Sequence, residues 1–88
     1  MTTHTIYTGL ADGWHLDITA RAAMGRWALG FIFTSASGRI KTEYTTWSRN
    51  GGWNPTAWHP LPGSKSRAIA EAWLLANPVP VPGAGVKP

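Results

Sequence analysis

From Arg26 to Phe33 the chain alternates strictly. Trp27, Leu29, Phe31 and Phe33 fall on one side, and Arg26, Ala28, Gly30 and Ile32 on the other. A period of two belongs to a strand with one buried face, and no helix sustains it. Upstream, Trp14, Leu16 and Ile18 interleave in the same way with His15, Asp17 and Thr19. Ser35-Ala36-Ser37-Gly38 reads as a turn, and residues 39–47 as a partner strand. Two faces of that strand compete for the core: Ile40, Thr42, Tyr44 and Thr46 against Arg39, Lys41, Glu43, Thr45 and Trp47. The expectation is that Ile40 and Tyr44 join the core and Trp47 points outward. A slip of one residue exchanges the two sets.

The flanking segments are punctuated by turn chemistry. Residues 5–8 are a short β-prone run closed by Gly9 and Ala11-Asp12-Gly13, and the lapse in alternation over residues 20–24 predicts a turn or bulge. Residues 48–63 hold three prolines and three glycines, which makes them a loop, one that also carries Trp53 and Trp58. It either folds back over the sheet or forms a contact surface. Ser64 is an N-cap for a helix running to Ala76, ended by Asn77-Pro78. Ala68, Ile69, Ala72, Trp73 and Ala76 are expected to line its packed side, leaving Leu74 either simply exposed or, with Leu75, buried against a second subunit.

These elements predict an α+β fold, a four-stranded antiparallel sheet followed by one covering C-terminal helix (β-β-β-β-α). Residues 1–77 form one domain, and residues 78–88 a flexible Pro/Gly-rich tail. The order over residues 5–76 resembles that of the single-stranded-DNA-binding coactivators, homodimers with a ββββα chain. The likeness is one of element order; it implies DNA binding and dimerisation and carries no site residue across.

Composition points the same way. Six tryptophans among 88 residues exceed what one small core is expected to hide, so some should face a partner. The absence of cysteine leaves stability to packing. The net charge is +4, and between residues 21 and 67 seven Lys or Arg stand against Glu43 alone. An anionic partner fits such a segment, either nucleic acid or an acidic protein surface.

The expected function is a small basic nucleic-acid-binding protein, directed to single-stranded DNA or RNA. Arg21, Arg26, Arg39, Lys41 and Arg49 would contact phosphates, Trp47 and Trp53 would stack on bases, and Trp58 would add contact surface. Gly63-Ser64-Lys65-Ser66-Arg67 offers a second anionic site: Lys65 and Arg67 oppose the helix dipole, and a bound anion would offset this. The rival reading is a compact inhibitor or adaptor module of phage or mobile-element type.

No catalytic role is expected. His4, His15 and His59 are dispersed, the four acids form no spaced motif, and no Walker or cofactor fingerprint is present. Neither a metal nor a cofactor is therefore expected. No stretch suits a membrane span and residues 1–6 do not read as a secretion signal, so the expected setting is cytoplasmic and the expected assembly a homodimer.

Overall fold

The computed structural model describes residues 2–79. Five antiparallel strands lie in chain order: β1 (Thr3–Ala11), β2 (Trp14–Ala23), β3 (Arg26–Thr34), β4 (Ile40–Ser48) and the two-residue β5 (Gly52–Trp53). One helix, α1 (Lys65–Ala76), follows. The α+β architecture is as expected, with one short strand more. No described helix is long and apolar enough to cross a membrane. Of the tail expected over residues 78–88, residues 80–88 lie outside the described residues.

The hairpins are set by turn residues. Asp12 and Gly13 both take positive φ (54° and 83°), the backbone of a two-residue turn whose twist matches its strands. Met24 and Gly25 do the same between β2 and β3. β2 therefore runs to Ala23 and the turn expected around residues 20–24 falls at its end, while a bulge lies in β1, between Thr5 and Tyr7.

The largest departure from expectation is the face of β4. Trp47 pairs with Trp27, Thr45 with Leu29 and Glu43 with Phe31, so the Trp47 set shares the core face. Ile40 and Tyr44 are 68% and 73% exposed, whereas Trp47 is 7%. Both registers alternate equally well in sequence. Burying an indole removes more apolar area than burying isoleucine, and Lys41 and Glu43 sit at the end of the strand where the core face is less covered.

The helix is rotated relative to the expected stripe. Ser66, Ala70 and Leu74 are buried, with Ile69 and Trp73 half-buried, while Ala68, Ala72 and Ala76 face solvent. Leu74 is fully buried within the chain and is not available to a second subunit; Leu75 is exposed. A twelve-residue helix that fully buries only Ser66, Ala70 and Leu74 cannot roof a whole sheet.

Tryptophans complete the roof. Trp58 meets Phe31 edge-on at 5.1 Å, Trp53 lies 6.2 Å from Phe31, Trp14 reaches Phe33 at 6.2 Å, and Trp73 meets Trp27 at 4.9 Å. The loop after β5 thus folds back over the sheet. The six indoles are spent on the covered side, in an interior where aromatic edges and faces pair favourably.

Candidate functional site

Among the described residues no element covers the opposite sheet face. Its centre is Gly30 on β3, flanked by Thr19 on β2 and Tyr44 on β4. A Cβ at Gly30 would stand 3.1 Å from the Thr19 hydroxyl oxygen and 3.3 Å from the Tyr44 ring, so only glycine lets the ring lie across the sheet. A hollow of about 510 Å³ opens here, lined by Thr3, Arg21, Gly30, Tyr44, Thr46 and Asn54 among others. A smaller one of about 160 Å³ shares Thr46 and Asn54 with it and extends to Arg26.

Arg21 and Arg26 belong to this face. Arg21 pairs with Ala28 and Arg26 with Ala23, which makes the two arginines diagonal neighbours, a spacing of about 7–8 Å between backbone positions. Small alanines fill the other corners. The carboxylate on this face, Asp17, lies further up β2, where it accepts a hydrogen bond from Thr8 and stands 3.5 Å from His15. The arrangement offers an exposed aromatic ring, threonine hydroxyls and two cations on one open surface.

The remaining sequence-derived candidates do not gather there. Trp47 and Trp53 (8% exposed) are core residues and cannot stack on a base, and Trp58 is half-buried against Phe31 and Phe33. Lys41 lies on the core-face side, 3.8 Å from Glu43 and 6.0 Å from the Phe33 ring centre. Arg39 is exposed beside the β3–β4 turn. Arg49 donates to the Leu75 carbonyl at 3.1 Å, placing its charge at the negative end of α1. Arg67 donates to Glu71 at 3.0 Å and to the Pro60 carbonyl at 3.2 Å, anchoring loop to helix.

The helix N-terminus is already filled. Asp12, carried by the β1–β2 turn, accepts from the backbone amides of Lys65 and Ser66, both at 3.1 Å, and Ser64 Oγ accepts from Arg67 N at 3.2 Å. The anion inferred for Lys65 and Arg67 is thus the protein's own carboxylate, from 53 residues upstream in the case of Lys65. Sequence spacing cannot reveal such a distant cap. Alternation alone turns Tyr44 inward, and the structure places it on the surface; the small Gly30 on the open face of β3 is the sequence signal for a ring lying there.

Those two amides hold the Asp12 carboxyl below the ordinary carboxylate range. A depressed folded-state pKa stabilises above the unfolded value of about 3.9 and is lost as pH falls through the folded one. Asp12→Asn keeps a side chain suited to positive φ and removes the charge. It should cost about 1 kcal/mol near neutral pH, a modest figure because the group is exposed. The deficit should close in strong acid, as followed by urea unfolding at both pH values. A pH-independent deficit would contradict the charged cap.

The chain matches no family model, no curated protein and no solved structure. Among the described residues no three histidine, aspartate or glutamate side chains are placed to share a metal ion.

Proposed function

We propose that the open sheet face binds a single-stranded segment of DNA or RNA. The observation that carries the reading is the hollow at Gly30, lined by Tyr44, whose ring lies against that glycine, and by Arg21. A base stacks on the tyrosine ring, and threonine hydroxyls around it serve as sequence-tolerant donors and acceptors. Arg21 and Arg26 take the adjoining phosphates as charge-assisted hydrogen-bond donors. Stacking thus passes from Trp47 and Trp53 to Tyr44, and the phosphate contacts reduce to the two arginines that share its face.

The test is fluorescence anisotropy with labelled single- and double-stranded oligonucleotides across a range of salt. Binding should saturate, favour single strands, and weaken with salt at a log–log slope of about −1.4 for two phosphates. Tyr44→Ala should weaken affinity roughly ten-fold or more without unfolding an exposed position. Replacing both Arg21 and Arg26 with alanine should flatten the salt dependence. No binding at tens of micromolar (about 10⁻⁵ M, a level at which even non-specific contacts register), or binding indifferent to all three residues, would overturn the reading and favour a protein partner.

A further inference from the structure

The two edges of the sheet are not equivalent. β1 carries a bulge between Thr5 and Tyr7, the kind of irregularity that spoils pairing with another chain. β4 pairs regularly with β3 throughout, while β5 covers it only at Trp47 and Ser48. Among the described residues no strand pairs with the outer edge of residues 40–44.

The direction of its backbone groups follows from two bonds. Asn54 N donates to the Thr46 carbonyl, on the β5 side, and Ser35 N donates to the Arg39 carbonyl, on the β3 side. Backbone groups alternate sides along a strand, so Ile40, Thr42 and Tyr44 present both N–H and C=O to the open edge.

We infer that this chain forms a symmetric homodimer by antiparallel pairing of β4 with β4 of a second copy, the two-fold axis passing at Thr42. In that register Thr42 faces the partner's Thr42, and Ile40 faces the partner's Tyr44. Each such pair exchanges both backbone bonds. On the open face two exposed apolar side chains, Ile40 and Tyr44, thereby meet one another's counterparts. On the other face Lys41 stands opposite the partner's Glu43 and Glu43 opposite the partner's Lys41. These are the closely spaced, non-hydrogen-bonded positions, where opposite charges pair best.

A lone lysine on an edge strand repels a second copy. Glu43, two residues on, turns the same lysine into one half of a complementary pair, and only in the register centred on Thr42. The sequence Ile40-Lys41-Thr42-Glu43-Tyr44 is in this sense complementary to its own reverse. Pairing joins the two open faces into one continuous surface with two Tyr44 sites.

Charge reversal tests the register. Lys41→Glu alone sets glutamates opposite glutamates, and Glu43→Lys alone sets lysines opposite lysines. Sedimentation velocity should show wild type shifting from monomer to dimer with concentration, and each variant remaining monomeric at least ten-fold further. An equimolar mixture of the two variants should recover the dimer, because every facing pair is again opposite in charge. Loss of the internal Lys41–Glu43 contact would not produce that recovery. In a chain without cysteine, Thr42→Cys should also give a disulfide-linked dimer under mild oxidation, and Thr8→Cys on the bulged edge should not. A wild-type chain that stays monomeric, or a mixture that fails to reassociate, overturns the inference. Lys41 and Glu43 lie off the Tyr44 face, so neither result depends on the nucleic-acid reading.

Discussion

Replacing Phe31 with alanine is expected to cost about 3–5 kcal/mol and to leave much of the population unfolded. Phe31 is fully buried at the middle of β3, between Ile18 on β2 and Glu43 on β4. Over it lie Trp53 and Trp58, from a segment rich in glycine and proline. That segment has little secondary structure to hold it, so its position depends on what its indoles touch. Removing the ring leaves a cavity and withdraws the shared partner of both tryptophans. Phe31→Leu keeps most of the volume and should cost under about 1.5 kcal/mol. Urea unfolding followed by tryptophan fluorescence measures both. Equal costs for the two variants would mean that the loop is held elsewhere and that Phe31 is not its anchor.

That dependence explains why the tryptophan count misleads when read as surface. A strand pattern identifies which positions share a face, and the Trp27–Phe33 and Trp14–Ile18 faces were legible on that ground. The N-cap at Ser64 and the end at Asn77 were legible from local chemistry alone. The face of β4 was not, because both of its alternating sets hold apolar residues and the deciding contact, Trp27 with Trp47, is between strands. Nor was the roof, since nothing in residues 48–63 states what they lie against. The candidate site inherits this limit. The β3 alternation places Arg26 on the open face and leaves Arg21 only near a strand end, whereas Tyr44 emerges only after the β4 register is known. The cations that sequence grouped with them divide by tertiary contacts: Arg49 and Arg67 hold the helix, and Lys65 offers its amide to Asp12.

The second large effect is expected at Glu71, where helix and loop are tied through one oxygen. Oε2 accepts from the Trp53 indole at 2.7 Å and from Arg67 Nε at 3.0 Å, and Arg67 in turn reaches the Pro60 carbonyl. Glu71→Ala leaves the indole N–H of a buried tryptophan without its acceptor, and should cost about 2 kcal/mol. The ion pair adds little of this, because both partners are partly exposed. Glu71→Gln retains a carbonyl oxygen for the indole and should recover about half of the loss. The decisive comparison is made with Trp53→Phe, which keeps an aromatic ring and removes the donor. In that background Glu71→Ala has no orphaned N–H to create and should cost clearly less than in the parent, a coupling of about 1 kcal/mol. If the two substitutions are additive instead, the loop is docked by the packing of its rings on Phe31, and the bond to Glu71 only follows from it.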